Sequence, residues 1–274
     1  MMPERIDSVE SDIELEGHRD RSLGRKLSPA IVAIDGPAAS GKTTVGQRLA
    51  EALDYVFFDT GLMYRALTWA TLERGLDVRD SESVGALAES LALDIVPANG
   101  DDADGGAGTA IVLDGRDVTA FMRTKAVDQN VSAVSAHARV RTALSKRQRA
   151  VAREYGAGQR EKSGIIMVGR DIGTVVIPDA PIKVYLDASA EERARRRYEE
   201  LRRRAGGPED GITLESVLQD IKRRDEHDSH RDIAPLSVAH DAVIMDTTDL
   251  TIAQVVTRLL DIVRVRVSQR PIDP

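Results

Sequence analysis

The chain has 274 residues, a formal net charge of -7 and 42% hydrophobic residues, which is enough for one sizeable core carrying small insertions. It contains no cysteine, which excludes a disulfide framework, a thiolate metal site and a catalytic thiol, and fits a reducing cytosol. The acidic balance argues against a general nucleic-acid coat. Neither a secretory signal nor a run of about 20 apolar residues is present, so a cytoplasmic monomer without nucleic-acid or membrane partners is expected.

Residues 1–29 are polar, charged and aperiodic up to Leu27 and read as a flexible or lightly docked extension. The remainder, 30–274, alternates short apolar runs with amphipathic segments. Ile31–Ile34, Val56–Phe58, Ile165–Val168, Ile182–Leu186 and Ala242–Met245 are predicted as buried parallel strands of a three-layer α/β sheet. Two insertions interrupt the alternation. One, about 65–135, includes the Gly/Asp-rich run ANGDDADGGAG (98–108) and the hairpin-like IVLDGRDVTAF. The other, about 191–232, is an Arg-rich helical pair joined by AGGPEDG (205–211), read as a lid.

Gly36-Pro37-Ala38-Ala39-Ser40-Gly41-Lys42-Thr43, followed by Thr44, matches the P-loop pattern between a strand and an amphipathic helix bearing Val45, Leu49, Ala52 and Leu53 on one face. Backbone amides and the helix N-terminus of such a turn cradle phosphate; Lys42 is expected on the β and γ phosphates of ATP or GTP and Thr43 on Mg²⁺. A P-loop does not name the phosphate acceptor. The absence of an Asn-Lys-x-Asp tetrad and the two insertions favour a small-molecule kinase over a GTPase switch.

Two further clusters follow strands. In Asp59-Thr60-Gly61-Leu62-Met63-Tyr64-Arg65, Asp59 is a candidate for magnesium or its water shell and Arg65 for an acceptor phosphate; the alternative is a helix cap with Arg65 on a solvated face. In Gly169-Arg170-Asp171, an Arg beside an Asp at a strand end suits phosphate binding plus base or metal work, against a local surface ion pair. The lid helix Glu191–Arg204 has seven arginines, four glutamates and an apolar stripe of Ala194, Tyr198 and Leu201. Arg193, Arg196 and Arg197 are its candidates for triphosphate contact. His227 and His230 flank Asp228 but make a poor zinc case without further ligands.

The segments IDGPAASGKTT, FFDTGLMYRAL, VGRDIGTVVIPDAPIKVYLDASAEERARRR and IKRRDEHDSHRDIAPL together closely resemble bacterial cytidylate kinases, in order and spacing, from about Ala30 to about Val263. The resemblance implies a P-loop NTPase fold with an inserted NMP-binding lobe and a helical lid, ATP and Mg²⁺ as cofactors, and CMP and dCMP as acceptors. It implies that Lys42, Asp59, Arg65, Arg170 and Asp171 serve catalysis, and that Arg65 and Arg170 hold the acceptor phosphate with Tyr64 nearby. Ser132, Arg141, Asp171 and Arg231 match cytosine-reading positions, and Arg224 and Asp228 a lid segment contacting sugar or phosphate. Taken alone, Ser132 is an ordinary helix residue and Arg141 part of a solvated amphipathic face. The N-terminal extension and the acidic 98–108 run depart from the family pattern without touching a motif.

Overall fold

The computed structural model describes residues 20–96, 109–158, 162–204, 212–231 and 233–269; the 98–108 and 205–211 runs lie outside them. Five parallel strands, β1 (Ile31–Asp35), β2 (Val56–Asp59), β6 (Ile165–Gly169), β7 (Ile182–Asp187) and β8 (Val243–Asp246), form a sheet in the order β2-β6-β1-β7-β8. Alternate side chains of β1, β2 and β6 enter different cores, as period-2 geometry requires. Ile31, Ala33, Val56, Phe58, Ile165 and Met167 join one cluster. Val32, Ile34, Phe57, Ile166 and Val168 join the other. Since both of their faces are covered, these three strands read as continuous apolar runs rather than alternating ones.

Helix α2 (Lys42–Leu53) and the C-terminal α9 (Ile252–Ser268) cover the second face, Val45, Leu49 and Leu53 of α2 meeting Val256 and Leu260 of α9 in that cluster. The short α1 (Arg21–Gly24) docks there too, with Leu23 and Leu27 buried and the Tyr55 hydroxyl donating to the Gly24 carbonyl at 2.5 Å. The described part of the expected extension is therefore anchored by two leucines, a signal too sparse to form a period.

The first insertion supplies α3 (Gly61–Glu73), α4 (Ser81–Ser90), the antiparallel strands β3 (Leu93–Val96), β4 (Ala110–Leu113) and β5 (Arg116–Asp117), a 3₁₀ turn (Thr119–Arg123) and α5 (Lys125–Ala136). Asp114 and Gly115, both at positive φ, turn β4 into β5 so that Leu113 pairs with Arg116. Asp-Gly is the dipeptide that a two-residue hairpin with right-handed strand twist favours. Helix α6 (Ala138–Gly156) then leads back to the sheet. Following β7, α7 (Ala190–Arg204) and α8 (Leu214–Ser229) pack through Ala194, Val217 and Ile221, with Tyr198, Leu201 and Ala39 of the P-loop against them. One expectation is corrected: β8 is an edge strand, and Val243 and Ile244 are 43% and 64% exposed. An apolar run cannot by itself distinguish an edge strand from a central one.

Candidate functional site

The strand order changes direction around β1, and the C-terminal ends of neighbouring strands lie level: Asp59 pairs with Val168, Asp35 with Gly169 and Tyr185, Asp187 with Asp246. Ligands of open α/β sheets bind at such a carboxyl edge. The P-loop occupies it. Gly36 adopts φ +150°, and a Cβ there would stand 2.0 Å from the Leu186 carbonyl oxygen, so any side chain would prise the loop off β7. Ser40 and Lys42 are buried, and the Lys42 ammonium donates to the Pro37 carbonyl at 2.5 Å and the Ser40 hydroxyl at 3.2 Å.

From β2, the Asp59 carboxylate accepts the Thr43 hydroxyl at 3.2 Å and the Gly61 amide at 2.9 Å. A hydroxyl and a carboxylate side by side at a phosphate loop fit Mg²⁺, which is held by one or two protein oxygens while phosphates and waters complete its shell. Thus Thr43 and Asp59 come together across 16 positions of sequence.

Facing the P-loop is a second basin, built of buried ion pairs. Arg141 from α6 donates to Asp171 at 2.6 Å, with both side chains nearly free of solvent. Asp228 of α8, 1% exposed, accepts Arg170 Nε at 3.0 Å and also Arg231. Burial alone would raise the Asp228 pKa, but Arg170, Arg231 and Arg224 outweigh it and hold it below the usual carboxylate range. The Arg141 guanidinium lies 5.6 Å above the Tyr64 ring, and burial pushes the Tyr64 hydroxyl up to about 12. Arg65 donates to the Met122 carbonyl at 3.2 Å and to Asp128 at 2.6 Å. Ser132 lines the same cleft. The buried Nε atoms of Arg141 and Arg231 have no hydrogen-bond partner.

Between basin and P-loop the charges do not balance. Burial, then Arg170, brings the Arg224 pKa down to about 10, with Arg65 and Arg197 adding to the repulsion against Asp228. Burial and Arg170 likewise hold Lys42 well below the usual lysine range, against Asp59 and Asp35 and with Arg224 contributing. Buried cations crowded in this way suit an anionic ligand. The shared cleft has a volume of about 1080 Å³, at the top of the range of about 300–1,000 Å³ usual for one small ligand.

Of the lid candidates, Arg196 and Arg197 line the cleft. Arg196 donates to the Thr247 carbonyl at 2.6 Å beyond β8 and pairs with Glu192, while Arg197 pairs with Glu200. Arg193 departs from the expectation. It is buried and committed to Ala188 O, to Ala38 O of the P-loop at 3.2 Å and to Asp225 of α8 at 2.7 Å; it ties the lid to the loop instead of facing a triphosphate. Sequence reasoning also missed Asp128, Thr247 and Asp35. For Asp35 a signal existed, a carboxylate ending a strand that is otherwise apolar.

A P-loop on a parallel α/β sheet, opposed by a second cationic basin under a helical lid, defines a small-molecule kinase of the P-loop class. The family model described as cytidylate kinase matches residues 32–265. A cytidylate kinase from Geobacillus kaustophilus is 45% identical over 245 residues, covering 89% of this chain and 100% of the relative. One from Anoxybacillus flavithermus is 44% identical, covering 89% and 99%, and one from Stutzerimonas stutzeri 44%, covering 84% and 93%. The chain belongs to the cytidylate kinase family, and it is an enzyme that uses nucleotides. Among the described residues no helix is long and apolar enough to cross a membrane.

Proposed function

We propose that the chain transfers the γ-phosphoryl group of MgATP to the phosphate of CMP or dCMP, giving ADP and CDP or dCDP. An oxygen of the acceptor phosphate attacks the γ-phosphorus in line; the bond from that phosphorus to the bridging β-oxygen breaks, and the electron pair leaves with ADP. The observation that carries this reading is the crowding of buried cations in one cleft, where burial and then Arg170 lower both Lys42 and Arg224 and two phosphate groups would neutralise the charge.

In this reading the P-loop amides of residues 38–44 cradle the triphosphate and Lys42 leaves Pro37 O for the β and γ phosphates. Thr43 and Asp59 would hold Mg²⁺, which would supply charge neutralisation on the phosphate oxygens. Arg65, Arg170 and Arg224 orient the acceptor phosphate, with Asp228 fixing Arg170 and Arg231. Asp171 accepts from the cytosine N4 amine while Arg141, Arg231 and Ser132 donate to ring acceptors; that these four residues line one cleft supports this assignment. Positioning and electrostatic stabilisation account for catalysis.

The test is ADP formation from MgATP with CMP, dCMP, UMP, AMP, GMP and shikimate offered separately. Turnover confined mainly to CMP and dCMP supports the reading. Turnover with another acceptor would overturn the base-reading roles, and none with any acceptor would sink the kinase assignment.

A further inference from the structure

Asp35 is a buried carboxylate to which the reaction above gives no task. It ends β1, one residue before the P-loop, and is 5% exposed. One oxygen accepts the Ile172 amide at 2.8 Å and the other the Gly173 amide at 2.7 Å. These two amides open the π-helical turn Ile172–Val176, directly after Arg170 and Asp171. Keeping a charge in an apolar strand is costly, and only an ionised carboxylate offers a full acceptor to both amides at once. Asparagine presents one acceptor and one donor, and the protonated acid keeps one full acceptor while its hydroxyl oxygen accepts only weakly, so in either case one amide loses its strong partner.

We propose that Asp35 is a positioning residue that locks the Arg170–Asp171 turn of the acceptor basin onto the phosphate loop, and that proton uptake by its carboxylate releases half of this lock. The inference rests on the proposed reaction for its kinetic consequence only. The charged and titratable groups facing Asp35 are Lys42 from α2, Asp171 from the turn, and Lys183 and Tyr185 from β7. Lys183 is bound to Asp241 at 2.8 Å and to the Pro178 carbonyl, so its charge is engaged away from Asp35. Burial, reinforced by Asp171, pushes the Asp35 pKa up to about 6, against the two amides and Lys42. The lock therefore operates at neutral pH and weakens on mild acidification.

The experiment uses the full chain in two readouts. First, backbone amide resonances of Ile172 and Gly173 are followed between about pH 5 and pH 8. They are expected to titrate together near pH 6 in the wild type and to be flat in Asp35→Asn. Second, kcat and KM are measured over the same range. Asp35→Asn is expected to raise the KM for CMP by about tenfold while that for MgATP changes less than about threefold. The wild-type to variant ratio of kcat/KM for CMP is expected to fall towards one at acid pH; taking the ratio cancels ionisation of the substrate phosphate itself, which titrates near pH 6. Amides that do not titrate near pH 6 would overturn the proposal without any variant having to fold. So would an unchanged KM for CMP, or equal losses for both substrates. Titrating amides in a wild type that ignores CMP would uphold the lock and overturn the proposed acceptor.

Discussion

Arg141 Nη2 meets the Asp171 carboxylate at 2.6 Å in the floor of the cleft, with 4% and 7% of the two side chains exposed. Dry ion pairs seldom add net stability, but breaking one strands a charge, at a cost of about 3–5 kcal/mol. Arg141→Met is therefore expected to lower the denaturant midpoint by that amount of stability. A double variant, Arg141→Met with Asp171→Leu, is expected to recover most of it and still phosphorylate no CMP. Chemical denaturation beside turnover checks both; recovery of activity in the double variant would mean that the pair serves the fold and not the acceptor.

Lys42 behaves differently, because burial and then repulsion by Arg170 and Arg224 disfavour its charge. Removing it relieves that repulsion. Lys42→Met is expected to melt at or above the wild-type temperature while kcat falls by at least about 10²–10³-fold, the scale of a lost transition-state charge contact. Thermal melts and ADP release measure the two effects. A variant of near-normal kcat would remove Lys42 from the chemistry.

Arg193 joins three acceptors, Ala188 O, Ala38 O and Asp225. Its truncation to Ala is expected to cost about 3 kcal/mol, and to raise the KM for ATP more than that for CMP, since Ala38 belongs to the P-loop. Arg193→Lys is not expected to rescue, because a single ammonium cannot reproduce the planar fork that reaches all three. Denaturation together with the ratio of the two KM values decides the matter.

Two carboxylates give the stability of the enzyme opposite pH dependences. Asp228 is held below its ordinary value, so its contribution is full above the unfolded pKa of 3.8 and is lost as pH falls through the lower folded one. Asp35 is raised from 3.8 to about 6; the fold is favoured below 3.8 and loses on the order of 3 kcal/mol as pH rises through about 6. In melts at stepped pH, the stability of Asp35→Asn relative to wild type is expected to climb between about pH 4 and pH 6 and then level off. For Asp228→Asn the deficit is expected to be largest near neutrality and to close in acid. A flat difference for either variant would contradict the shift assigned to it.

Much of the catalytic edge was legible because its residues follow strands. The P-loop, Asp59 and Arg170 each come at the end of an apolar run, and parallel pairing brings such ends together. The opposite basin was not legible in that way. Ser132 and Arg141 occupy amphipathic helices whose period cannot tell a solvated face from one that closes a cleft, and only the family resemblance singled them out. Asp35 and Ile172 are separated by 137 positions, and no local pattern records such a contact. Arg193 was expected on the right helix but facing the wrong way, since a run of neighbouring arginines gives no azimuth for any one of them.

Lys42 curls back onto Pro37 O and Ser40 Oγ, with a consequence for how nucleotide is acquired. The loop already contains a cation bonded to its own carbonyl and hydroxyl, and glycine and backbone geometry hold its turn against β7. Arrival of ATP is then an exchange of partners for one ammonium group, carbonyl and hydroxyl giving way to phosphate oxygens. The ordering entropy of this segment is met during folding and not at binding, which is the thermodynamic meaning of a preorganised receptor.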